Sequence, residues 1–502
     1  MKSIIRIILV FLPFISALAS SQDTLYVMRW GQVAYKVAVK DLDSISFENA
    51  LLNRKCITEK IAKDNNYSIF YQGLIATGLV DSLRSDRDKK YSDKEYLSYK
   101  YSSSWTTVDV PAYKRYGNTL LIENDSLFRS YSINSLSELK DYAASVYNQV
   151  YPEDAGITDV KNRRNSLNRF IAYHIINKRL SLSNLIDIYD TGHMLKTVDM
   201  TEYYETLCPN TLLEVSKIRA INKTNLINRN PDTGNTIQII SGFNDSITYN
   251  GFYYGIDKIL SYNPDVARIL SNKRLRFDMA SLFPELTNNG FKTQASTTYA
   301  QKSKQYYIPD GYLKNLSASV NTTVCYLAPF DAFLDYEGDE MFFSAQSGKV
   351  YDFTFDTPPV PAGNYEIRIG YLTNGKRGVA QIFVDSIPNG APVDFDLSAT
   401  NPVIGKEVTG SVADDPYGYL NDKSLRNHGY MKGPACYTTP DSRWQSGPAR
   451  NNANSLRRIL GTYTFAQSGK HKILVQGLCN GEFQIDFIEF VPTTALENED
   501  IY

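Results

Sequence analysis

Two hydrophobic periodicities divide this chain, and no single kind of element can carry both. Leu136, Leu139, Ala143 and Val146 recur at helical spacing, as do Leu167, Ile171 and Ile175. From about Tyr306 the period drops to two, as in Tyr365, Ile367 and Ile369. The chain must therefore combine helices with strands. At 502 residues it also exceeds one ordinary core, so two or three domains are expected.

In the first half, Ser135 and Glu138 form a capping box ahead of a helix, and a second helix is expected over 165–176. Asn250-Gly251 supplies the positive φ of a tight turn, after which Phe252, Tyr254 and Ile256 alternate as a half-buried strand does. Residues 263–300 read as a connecting segment with a helix over Val266 to Arg276. Beyond 301 come many short strands punctuated by Gly, Pro and Asn, among them 365–371, 379–385, 472–476 and 482–490. This texture predicts an antiparallel sandwich or jelly roll over 301–493, then a short tail over 494–502. Near the start, Leu25–Arg29 and Val33–Val37 read as a hairpin around Gly31-Gln32, within a segment spanning 20–50.

Several of these stretches resemble known families. The run Asn250 to Leu260 resembles the closing strand of a fasciclin domain. Leu120 to Phe128 resembles that family's first signature and Leu167 to Ile176 its second, a helix leading to the Tyr173-His174 pair. Ile69 to Leu83 reads like its opening helices. The resemblance covers 51–262 and implies an α+β fold used in adhesion. Glu123-Asn124-Asp125 replaces the family's usual Ala-Pro-Thr turn, and Tyr254 stands where a His is frequent. The strands of 301–493 are similar in order and texture to galactose-binding-type jelly rolls, including family-six carbohydrate-binding modules. The N-terminal hairpin ending in Asp43-Ser-Ile-Ser-Phe47 resembles those of exported proteins in Gram-negative Sus-type glycan-uptake systems.

The N-terminus reads as an export signal over 1–19. Lys2 and Arg6 supply the charge, Ile7 to Ile15 the apolar run, and Ala17-Leu-Ala19 the cleavage site. The run falls short of the ~20 residues that span a bilayer, and no Cys stands where a lipoprotein needs one. Periplasm or the outer-membrane surface is the expected compartment. A formal charge of −1 gives no general attraction to nucleic acid or to an anionic membrane. The five cysteines lie far apart with no C-x-x-C pair, so buried thiols are expected, although Cys436 and Cys479 could meet.

Motifs for chemistry are sparse. The four histidines, His174, His193, His428 and His471, have no metal-ligand spacing, and no Walker loop, G-x-S-x-G or H-E-x-x-H occurs. His174 is expected as a hydrogen-bonded core residue, as the family resemblance also implies. Asp125 is expected to satisfy backbone N–H groups at a helix start. In jelly rolls of the resembling type, an acidic residue near the first strand and an Asp near the last often share a structural calcium. Glu337, Asp339, Glu340 and Asp486 are the corresponding candidates, since calcium takes six to eight hard oxygen ligands. No other cofactor is expected.

Between Asp414 and Trp444 the loop-like composition holds Tyr417, Tyr419, Arg426, His428, Tyr430, Tyr437, Arg443 and Trp444. Aromatic faces with Arg and Asn beside them suit a pyranose, and the same residues would also anchor a long loop. The expected function is non-catalytic adhesion or glycan binding, as an accessory component of an outer-membrane polysaccharide-uptake system. Its partners would be a polysaccharide or cell-surface glycan and neighbouring outer-membrane proteins. The alternatives are a glycan-active hydrolase or lyase using Asp339, Glu340 or Asp441, and a purely structural surface subunit.

Overall fold

The computed structural model describes residues 24–29, 32–38, 55–88, 91, 106–107, 110–111, 114–186, 192–195, 197–240, 246–292, 304–405, 419–439 and 447–496. The expected export signal and the residues Tyr417, Asp441, Arg443 and Trp444 lie outside them. The chain divides into two units, Met1–Arg54 and Lys55–Tyr502. In the first, Thr24–Arg29 and Gln32–Ala38 pair antiparallel as the alternation predicts.

The second unit is built mostly of antiparallel sheets, with its longer helices concentrated in the first half. The helix Leu136–Val150 starts as expected. Ser135 Oγ accepts the Glu138 N–H, while the Glu138 carboxylate reaches back to the Asn134 N–H at 2.6 Å. Its buried stripe is Leu139, Ala143 and Tyr147, with Leu136 and Val146 half-buried at the margin. The second helix is shorter than its spacing implies. It runs Ser166–Tyr173, capped by Asn165, because Ile175–Ile176 leaves it to pair with Thr119 and Leu120.

Asn118–Ile122 and Gly251–Gly255 lie side by side, in parallel, at the centre of a four-stranded sheet. Gly251 is required there, though less for a hairpin turn than for proximity. At φ +155° a Cβ would stand 1.9 Å from the Asn118 carbonyl oxygen. Met200–Glu205, Leu212–Ile218 and Lys223–Ile227 make a separate three-stranded meander.

The strand-rich half forms three larger sheets. One runs in the order Glu482–Ile485, Glu340–Ala345, Thr322–Leu327, Lys304–Ile308 and Thr106–Thr107. A second is led by Leu316–Ala318, Asp352–Asp356, Lys472–Gly477 and Val379–Val384. Aromatic rings join these two: Phe343 stacks on Phe353 with centroids 3.6 Å apart, and Phe483 meets the same ring at 5.6 Å.

The third sheet carries the polar chemistry. Its order is Leu275–Asp278, Phe487–Pro492, Gly363–Leu372, Ser455–Phe465 and Tyr430–Lys432. The expected helix over 266–276 is thus corrected to Pro264–Ser271, followed by an edge strand that docks against the chain's last strand. One continuous apolar cluster runs from Ile57 to Phe490 across both halves. Among the described residues no helix is long and apolar enough to cross a membrane. All five cysteines are free; Cys56, Cys208, Cys325 and Cys436 are buried and Cys479 is exposed.

Candidate functional site

Charged residues in the third sheet alternate with apolar ones, yet they point into the protein. Arg276 stands opposite Glu489, which stands opposite Arg368 on the next strand. Glu489 Oε2 accepts from Arg276 Nε at 2.9 Å, and its Oε1 lies 3.3 Å from Arg368 Nη1 and 3.1 Å from Arg457 Nη1. Arg368, Arg457 and Glu489 are fully buried. Burial pushes the Glu489 carboxyl upward, but the three guanidiniums outweigh it and hold it well below the usual carboxylate range.

The segment 426–436 covers this layer. Arg426 pairs with Glu366 at 2.9 Å, Arg457 Nε donates to the Lys432 carbonyl at 2.9 Å, and Arg276 Nη1 lies 3.0 Å from Cys436 Sγ. Arg426 is therefore engaged in holding the segment down. Tyr430 is buried beneath the Arg458 guanidinium, 4.7 Å from its ring centroid, and Tyr437 is buried with its hydroxyl donating to Asp486 at 3.2 Å. Of the expected glycan face, His428 is exposed, with Nδ1 3.2 Å from the Ser424 carbonyl oxygen. Tyr419 begins the helix Tyr419–Arg426. Arg426, Tyr430 and Tyr437 thus make contacts that hold the segment to the fold.

At Asp278, the end of the third sheet's edge strand, the charge balance reverses. Lys292 Nζ is fully buried among Asp278, Glu337 and Asp339, at 3.0 Å from Glu337 Oε2 and 3.2 Å from Asp339 Oδ2. Tyr326 donates to Asp339 at 2.7 Å. Asp486 accepts the Tyr336 N–H at 2.8 Å, and Gln484 donates to Asp335 at 2.8 Å. Burial pushes Asp339 up to about 7, Glu202 up to about 7, and Glu337 and Asp486 well above the usual range. Burial and the neighbouring Lys292 charge bring Lys178 down to about 8.

The acidic turn expected from sequence is thus real but inward-facing. Glu337 has φ 64° and Gly338 φ 78°, and a Cβ on Gly338 would meet the His193 ring at 2.2 Å. Of the four calcium candidates, Glu337 and Asp339 gather on the Lys292 ammonium, Glu340 pairs instead with Arg377 at 2.7 Å, and Asp486 caps Tyr336. Among the described residues no group of three or more His, Cys, Asp or Glu is arranged to hold a metal ion. The ligand set expected for calcium is not assembled there.

In the first half, His174 is buried, bridging Phe170 O at 2.7 Å and Glu123 Oε1 at 2.9 Å. Asp125 serves a helix other than its own, accepting the Ile69 N–H at 3.0 Å, while Asn124 caps the helix Asp125–Ser130. Both act as core hydrogen-bond partners.

No family model matches the chain, and no curated protein matches it. Among solved structures it is similar to a FAS1 domain pair from the insect cell adhesion molecule fasciclin I, at 12% identity and TM-score 0.21, over 42% of this chain and 52% of that one. It is also similar to a Paenibacillus xanthan lyase, at 10% identity and TM-score 0.21, over 59% of this chain and 21% of the lyase. The chain spans about half the length of the first and about a fifth of the second. At these scores neither likeness defines a family or an activity.

Proposed function

We propose that this chain is an exported, non-catalytic surface protein that binds a glycan, with a fasciclin-like α+β domain followed by a galactose-binding-type jelly roll. Its place would be that of an accessory component in an outer-membrane polysaccharide-uptake system, beside neighbouring outer-membrane proteins. One observation carries the reading. Two of the three carboxylates named for the enzyme reading have basic or phenolic partners: Asp339 is buried against Lys292 and Tyr326, and Glu340 is tied to Arg377. A glycosidase needs two carboxyl groups flanking a substrate-sized space, and these two face basic partners instead.

The test is incubation of the purified chain with a panel of soluble polysaccharides, measuring retention and new reducing ends or unsaturated products together. Retention without product is the expected result. Product release would replace this reading with a hydrolase or lyase, and neither retention nor product would leave a structural surface subunit.

A further inference from the structure

Away from the buried charge layer, the first half carries an open cleft of about 480 Å3, a size within the range of small-ligand sites. It is framed by the chain that follows the strand Lys223–Ile227, the chain that follows Gly251–Gly255, and the start of the helix Pro264–Ser271. Tyr131, just past the helix Asp125–Ser130, closes one side and is 49% exposed. Ile237, Val266 and Ile269 supply apolar surface among the polar groups.

Four of the polar groups are carboxamides, Asn228, Asn230, Asn235 and Asn263, and two of these are held in place by neighbouring backbone. Asn230 Oδ1 accepts the N–H groups of Asp232 and Thr233 at 2.9 and 3.1 Å. Asn263 Oδ1 caps Val266 N at 2.9 Å. Each oxygen is thereby used, and among the described residues each Nδ2 is left to donate outward. The exposed Asn235 side chain makes no hydrogen bond among the described residues. Lys258 and Asp265 add one positive and one negative charge, so the lining is neutral overall.

That chemistry selects its ligand. A phosphate or sulfate wants converging cations or helix N–H groups, and an apolar ligand has no use for preset amide donors. A pyranose offers a ring of hydroxyls for the amides and an apolar face for the phenol ring. We infer that this cleft is a binding subsite for a neutral saccharide, stacked on Tyr131 and hydrogen-bonded by Asn230, Asn235 and Asn263. The inference rests on the glycan-binding reading above and gives it residues outside the 414–444 loop.

The full chain is run by affinity electrophoresis through gels containing starch, laminarin, xylan, galactan or polygalacturonate. The variants are Tyr131→Ala, Asn235→Ala and Asn263→Asp, the last keeping the capping oxygen while removing the donor, and each is matched to wild type by melting temperature. Wild type is retarded by at least one neutral polymer, and each variant weakens that retention about fivefold or more, the scale of one lost hydrogen bond or stacking contact. Wild-type retention unchanged in all three variants would overturn the cleft while leaving glycan binding intact. Retention by polygalacturonate alone would overturn the neutral ligand, and no retention of wild type by any polymer would overturn both readings.

Discussion

Lys292 Nζ lies 3.0 Å from Glu337 Oε2, both fully buried, an ion pair across 45 positions of sequence. It explains how a non-glycine residue persists at φ 64°: the turn is fixed by where its carboxylate must reach. Removing the ammonium leaves Asp278, Glu337 and Asp339 facing one another. Lys292→Met is expected to destabilise the unit by about 3–5 kcal/mol at pH 8, the usual cost of breaking a buried pair. Urea unfolding at pH 8 and pH 5 checks this, since protonation of the carboxyls should recover part of the loss at the lower pH. Equal stability of variant and wild type at pH 8 would remove Lys292 from the account.

The same cluster sets a pH dependence. Glu202 and Asp339 titrate near 7 in the folded chain, against ordinary values of 4.5 and 3.8. Between those values and 7 the native state holds protons that the unfolded chain has released. Stability from these groups is therefore fully present at low pH and is lost as pH rises towards and through 7. Glu202→Gln should flatten the fall in melting temperature between pH 5 and pH 8. A variant whose pH profile runs parallel to wild type would count against the assignment.

Glu489 has the opposite sign. Its carboxyl is held below the usual range, so its contribution is present above about 4.5 and is lost as pH falls further. Glu489→Gln removes the carboxylate that three buried guanidiniums share, leaving Arg368 with Glu366, and should cost about 3–5 kcal/mol or prevent folding. Circular dichroism melts at pH 7 read the effect. A near-neutral variant would mean that the arginines find other partners.

Gly251 is the most local test. Gly251→Ala places a methyl against the Asn118 carbonyl oxygen, in a backbone region that side chains rarely adopt. The parallel pair Asn118–Ile122 and Gly251–Gly255 must open, and a loss of at least about 2 kcal/mol is expected. Hydrogen exchange at Leu120 and Tyr254 should accelerate in the variant, and unchanged protection there would refute the close approach.

Local features were legible in the sequence wherever neighbours along the chain decide them. The Ser135–Glu138 cap, the Leu139/Ala143 stripe and the strands around Ile367, Ile382 and Phe483 all follow from spacing. The candidate centre was not legible, because period-two alternation assigns Arg368 and Glu489 to a solvent face. In the fold that face is covered by 426–436, and Glu489 pairs with Arg276 and Arg368, 213 and 121 positions away. A signal was present: Leu275-Arg-Phe-Asp, Glu366-Ile-Arg368 and Ile488-Glu-Phe are strands whose charges have complementary signs. The cleft at Asn230 and Asn263 escaped notice for another reason, since Asn in turns is ordinarily explained by backbone capping alone.

The strand Leu275–Asp278 has a consequence for how the protein is made. Arg276 meets Glu489 only after 213 further residues have been synthesised, roughly 10–40 s of elongation at ordinary rates. Throughout that interval a guanidinium destined for the interior has no carboxylate, and the strand beside it has an open edge. Growth of the chain from its start therefore cannot close the layer by stages. A nascent chain stopped between Arg426 and Phe487 would have the residues of all its described α-helices and none of its completed charge layer.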